Sequence, residues 1–170
     1  DPEPAIGAAL EKMLGEELAA AAQTLDAAWQ AQWMPLARFA AANLGGAHAT
    51  SLFAAWRGAL SAEVAELPRW RALAAFLLTQ EDTARKTVNV NNGFPAGKEF
   101  KAQKDAMLAA LAGLDEAAVA ALARLRQLPL PEHDNDDIVR ALARLMKLAA
   151  AELWLVFREA GEVDFGELAA

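Results

Sequence analysis

The sequence contains no cysteine and no tyrosine, and only two histidines. Without cysteine there is no disulfide framework, no thiolate zinc site and no cysteine nucleophile. That agrees with a reducing compartment. β-Branched residues are scarce while alanine and leucine, the best helix formers, abound, so the chain reads as all-α before any periodicity is considered. No charge-free apolar run approaches the roughly 18 residues a membrane span needs, and no basic segment opens the chain. The expectation is a cytoplasmic protein with no membrane partner. Neither G-x-x-x-x-G-K-[ST] nor G-x-G-x-x-G occurs, so no loop is built to cradle a nucleotide's phosphates. His48 and His133 lie far apart, and neither belongs to an H-E-x-x-H. No catalytic residue, metal site or cofactor site is expected within this chain.

What is present is helical pattern. At 170 residues the chain fits one domain with a real core. Pro4 suits a first helical turn, and Ile6, Leu10, Met13, Leu14, Leu18, Leu25 and Trp29 recur at helical spacing until Pro35 interrupts. A short helix with Leu36 and Phe39 then ends at Asn43-Leu44-Gly45-Gly46. Thr50 or Ser51 is placed to cap a helix with Leu52, Phe53, Trp56 and Leu60 inside. Pro68 opens another, carrying Trp70, Leu73, Phe76 and Leu77. Pattern resumes near Phe100 through Met107, Leu108 and Leu111. Asp115 caps a helix with Val119, Leu122 and Leu125 inside, ending before Leu128-Pro129. Asp134 or Asn135 caps a last long helix with Ile138, Leu142, Leu145, Leu148 or Ala149, Leu153 and Phe157. The expected architecture is one helical subdomain over residues 1–170. It is an irregular bundle of about six or seven helices with one long loop at about 79–98.

Charge singles out that loop. Residues 85–104 hold Arg85, Lys86, Lys98, Lys101 and Lys104 against Glu99, a local +4. A total of −7 therefore leaves −11 for the rest. The same stretch holds Asn89, Asn91, Asn92 and Phe94, side chains able to bond phosphates or stack on a base. These nine residues are the candidate DNA-contacting set, the other reading being a solvated loop whose lysines aid solubility. Five cations on single-stranded phosphates would give a log K against log salt slope of at most about −3.5.

Other features have plainer readings. Glu132-His133-Asp134-Asn135-Asp136-Asp137 lacks the alternation, central glycine and distal glutamate of a calcium loop, and reads as acids at a helix N-terminus. Five tryptophans fall mostly in apolar helical stripes, and Trp33, beside Pro35, is the one least clearly assigned to a core. The chain opens at Asp1-Pro2-Glu3-Pro4 and closes at Asp164-Phe165-Gly166-Glu167-Leu168, which looks like a helix just starting. The expectation is a piece excised from a larger protein, with 164–170 leading into its next segment, unless these residues are a short C-terminal tail.

Two stretches resemble a known family together. Leu77-Leu78-Thr79-Gln80-Glu81-Asp82-Thr83-Ala84-Arg85-Lys86 resembles the F-L-T-x-x-G-x-x-R-K segment of AddA- and RecB-like helicases. In those proteins it is followed, as here, by an Asn-rich turn and G-F-P (Gly93-Phe94-Pro95). The stretch Phe157-Arg158-Glu159-Ala160-Gly161-Glu162-Val163-Asp164-Phe165-Gly166-Glu167-Leu168 is similar to the G-x-[VL]-D-F-x-[DE]-L stretch of UvrD-family helicases. The resemblance covers roughly residues 70–170. It implies the helical 1B-type insertion of a superfamily-one, ATP-dependent DNA helicase or helicase–nuclease of repair and recombination. ATP and Mg would belong to the parent protein, and the partners would be single-stranded or forked DNA and the rest of the motor domains. Arg85 and Lys86 match the family's basic pair, whereas Lys98, Lys101 and Lys104 come from charge alone. The rival expectation is a helical protein–protein interaction module with no nucleic-acid role.

Overall fold

The computed structural model describes residues 2–130 and 135–160, with side-chain surroundings for residues 7–130, 141 and 144–157. It is all-α. Its helices are α1 (Pro2–Thr24), α2 (Ala27–Asn43), α3 (Leu67–Leu77), α4 (Lys101–Ala112), α5 (Glu116–Gln127) and α6 (Asn135–Ala160). Short 3-10 turns lie at Ala49–Phe53, Val64–Glu66, Val90–Asn92 and Lys98–Phe100. Among the described residues no strand forms beyond one antiparallel bridge between Leu78 and Ala84. No single described helix is long and apolar enough to cross a membrane.

The chain divides into two compact units, where the sequence reads as one subdomain. The larger spans 12–130, and the other joins 1–11 with 131–170. In the larger unit, Leu14, Leu18 and Ala21 bury one stripe of α1 that Leu25 continues just past its end, and Trp33, Ala37, Ala40 and Ala41 bury one stripe of α2. Leu67, Trp70, Leu73 and Leu77 do the same on α3, Met107 and Leu111 on α4, and Ala118, Leu122 and Leu125 on α5. These are the three- and four-residue spacings of a helix packed on one side. Trp33 is a correction: it is fully buried, its ring 5.5 Å from Trp29. Its indole N–H has no hydrogen-bond partner.

The first helix break also moves. Pro35 lies inside α2 rather than ending a helix, and the chain breaks instead at Leu25-Asp26. Asp26 is extended, and its carboxylate accepts from Trp29 N at 2.8 Å, an N-cap that satisfies a free donor of the first turn. The break is fixed by buried Gln30, whose amide donates to Leu25 O at 2.9 Å and accepts from Leu60 N at 2.7 Å. Pro35 removes one ladder bond. Trp33 and Ala37, buried on either side of it, hold the helix through.

The helix expected around Leu52, Phe53, Trp56 and Leu60 does not form. His48, not Thr50 or Ser51, caps a five-residue 3-10 turn by accepting from Thr50 N at 3.2 Å. Beyond it the chain is irregular, because its polar groups find partners outside a helical ladder. Trp56 Nε1 donates to Gly58 O, Trp70 Nε1 donates to Ser61 O, and Leu60 N uses Gln30. Phe53, Trp56 and Leu60 are still buried, whereas Leu52 is exposed.

The remaining helix signals hold. α3 has Pro68 in its first turn, and α5 is capped by Asp115, which accepts from Ala118 N at 2.7 Å. α4 and α5 turn through 98° where they join. α6 carries Leu145, Ala149, Leu153 and Val156 at helical spacing, yet all four are exposed. Asp134, His133, Gly161 and residues 164–170 lie outside the described residues.

Candidate nucleic-acid interface

The basic segment begins where α3 ends. Leu78 leaves the helix in an extended conformation, and the chain turns back so that Arg85 N donates to Leu77 O at 3.0 Å. The turn between them needs a left-handed residue, and Asp82 supplies it at φ 55°. Asn and Asp tolerate that region better than other side chains, though glycine enters it more readily. Thr79 and Thr83 close the turn with a backbone bond of 2.8 Å and a hydroxyl pair at 2.8 Å.

Two arginines lock this turn in place. Arg85 Nε donates to Phe76 O at 3.1 Å and its Nη2 to Ala75 O at 2.9 Å, so the guanidinium caps carbonyls at the C-terminal end of α3. Arg126, from the last turn of α5, donates to Thr79 O at 2.6 Å and to Gln80 O at 3.0 Å. Its Nε also lies 3.3 Å from Asp82 Oδ1, an ion-pair contact in which that oxygen receives no hydrogen bond. Burial, and then the positive charge of Arg126, lower the Arg85 guanidinium from its ordinary value. It stays cationic at neutral pH.

The Asn-rich turn is just as firmly built. Asn89 and Asn92 form a reciprocal cap: Asn89 Oδ1 accepts from Asn91 N at 2.9 Å, and Asn92 Oδ1 accepts from Asn89 N at 3.3 Å. Gly93 then takes a left-handed φ of 82° against α2, where a Cβ would come within 2.6 Å of Ala40 Cα. Only glycine fits that approach. Asn43 Nδ2 donates to Gly93 O at 3.2 Å from the end of α2.

Phe94 is a second correction. It is 1% exposed, with Phe39 at 5.5 Å and a stacked Phe76 at 6.4 Å between ring centroids. With both faces inside the core it has none to offer a base. Val88 is buried as well. Of the nine candidate residues, Arg85, Asn89, Asn92 and Phe94 are therefore engaged in holding the segment's shape. Lys86, Asn91, Lys98 and Lys101 are exposed, and Lys104 is half-buried. Lys98, Lys101 and Lys104 follow at intervals of three through the 3-10 turn into α4, and so share one side of it. Lys101 reaches Asp105 at 4.0 Å, a solvent-exposed pair that ties up little of its charge.

Sequence reasoning missed His48 and Arg126. With Arg85, Asn92, Thr79 and Gln80 they line a cleft of about 310 Å³. Nothing in the sequence marks Arg126 except its place in a helix's last turn, since its partners lie 46 and 47 residues earlier. Among the described residues no group of three or more His, Asp or Glu side chains is placed to hold a metal. The acidic run at 132–137 has its side chains outside that set. Compared with known proteins, the chain matches no family model, no curated protein and no solved structure.

Proposed function

We propose that this chain is a DNA-contacting accessory subdomain, of the 1B type, of an ATP-dependent DNA helicase or helicase–nuclease acting in repair and recombination. It guides single-stranded or forked DNA beside the motor domains, and its parent binds the ATP and Mg. The observation that carries the reading is a clamped loop bearing Lys86, followed by a turn and helix that carry Lys98 and Lys101. Arg85, Arg126 and Gly93 fix residues 77–94, while Lys86, Lys98 and Lys101 stay exposed on an otherwise acidic body. A rigid loop holds its charges in place before a strand arrives, so less ordering entropy is lost on binding. A second observation supports the resemblance. The glycine of the F-L-T-x-x-G-x-x-R-K pattern falls on Asp82, the residue with φ 55°. A left-handed turn is a physical reason for glycine at that place.

Since the Arg85 guanidinium is already turned onto helix carbonyls, the surface set shrinks to four lysines. The expected salt slope on single strands becomes at most about −2.8. Fluorescence anisotropy with labelled single-stranded and forked DNA at low salt tests this, comparing the wild type with Lys86→Ala/Lys98→Ala/Lys101→Ala. The triple variant should lose most of the binding, and equal binding would remove the DNA role.

A second reading, the protein-interaction module, is favoured by α6. Leu145, Met146, Leu148, Leu153 and Val156 are 53–63% exposed on it. Exposed apolar surface of this kind marks an interaction face when it is contiguous. Solution mass measurement separates the readings: a stable self-associated species that ignores DNA supports the module.

A further inference from the structure

From the cleft beside the α3 end, we infer a phosphate-binding site formed by Arg85, Arg126, Asn92 and His48, distinct from the exposed lysines. The inference does not rest on the DNA reading. It comes from which polar groups the fold uses up around the cleft and which it leaves.

The acceptors are largely consumed. The carbonyls of Ala75, Phe76, Thr79 and Gln80 are all taken by the two guanidiniums. Asn92 Oδ1 is taken by Asn89 N, and His48 Nδ1 by Thr50 N. On Arg85, Arg126, Asn92 and His48 what remains is donors, while the Gln80 amide and the Thr50 hydroxyl also line the cleft. Each guanidinium has five N–H groups and spends two of them on those carbonyls, so both keep Nη hydrogens. The Nδ2 of Asn92 remains. Because His48 Nδ1 accepts, the neutral ring carries its proton on Nε2.

Charge points the same way. No acidic residue lines the cleft. Asp82 contacts Arg126 from outside the lining, and among the described residues no carboxylate pairs with Arg85. Two guanidiniums that repel each other, one of them partly desolvated, would be relieved by an anion bridging them. At about 310 Å³ the cleft has room for a phosphate or pyrophosphate and sits at the small end of ligand pockets.

The test follows the Arg85 and Arg126 Nε–H signals by NMR during titration with inorganic pyrophosphate at low ionic strength. Both signals should shift and saturate. Asn92→Asp keeps the oxygen that accepts from Asn89 N but replaces the free amide with a carboxylate, so it should fold normally and bind at least about tenfold more weakly. Gln80→Glu, on an exposed wall residue, should weaken binding in the same direction. The Lys86/Lys98/Lys101 alanine variant should bind pyrophosphate as the wild type does, which separates this site from the DNA surface. Absence of a saturable shift in the wild type, or unchanged affinity in Asn92→Asp, overturns the site. Oligonucleotides with a 5′-phosphate or a 5′-hydroxyl distinguish the source. Tighter binding of the phosphorylated strand assigns the cleft to a strand end, and equal binding assigns it to a free phosphorylated molecule.

Discussion

Residues 85–94 and 98–104 both contribute to one basic, polar stretch in the sequence, and the fold treats them in opposite ways. Lys86 and Asn91 apart, the first half holds the segment's shape: Arg85 caps α3, Asn89 and Asn92 bond each other, Gly93 presses on Ala40 and Phe94 packs between Phe39 and Phe76. In the second half Lys98 and Lys101 are exposed, and Lys104 is half-exposed. Local charge density therefore overstates the surface available to a strand, because the Arg85 guanidinium is turned onto helix carbonyls rather than outward.

Substitutions across the two halves should separate them by stability. Phe94→Ala should cost most, about 3–5 kcal/mol, by opening a cavity in an aromatic cluster. Urea unfolding checks this, and a loss under 1 kcal/mol would mean Phe94 is not core. Gly93→Ala should follow at about 2 kcal/mol or more, combining left-handed strain with a clash against α2. If it leaves the unfolding midpoint unmoved, Gly93 does not approach Ala40 as described. Removing the Asn43 amide with Asn43→Ala should cost about 1 kcal/mol, through loss of its bonds to Gly93 O and Phe39 O. In the outer half, Lys98→Ala and Lys101→Ala should each stay within about 0.5 kcal/mol of the wild type in the same assay. Each should instead lower the magnitude of the DNA salt slope by roughly 0.7. A stability loss from either lysine variant comparable to that of Gly93→Ala would erase the contrast.

α5 and α6 give a second instance of one pattern with two outcomes. Both are amphipathic by residue spacing. α5 buries Ala118, Leu122 and Leu125, whereas the matching stripe of α6 is exposed. Spacing shows that a helix has an apolar face, and only a neighbour shows whether that face is covered.

Much of the fold was legible because its signals are local. The all-α class follows from composition, and the starts of α3 and α5 follow from Pro68 and Asp115, which act within one helical turn. The end of α2 and the span of α4 follow likewise from residues beside them. The misreadings are those decided at a distance. Pro35 was outweighed by packing on either side of it, and a helix after Thr50 was displaced by Gln30 and Trp70 drawing backbone groups away. The same holds for the site. The sequence located a basic, Asn-rich segment, because charge and composition can be read one residue at a time. It could not assign Phe94 to the core, turn Arg85 onto the α3 carbonyls or bring Arg126 and His48 beside it. Those placements depend on contacts between residues as far as 47 positions apart, and only the folded chain brings such partners together.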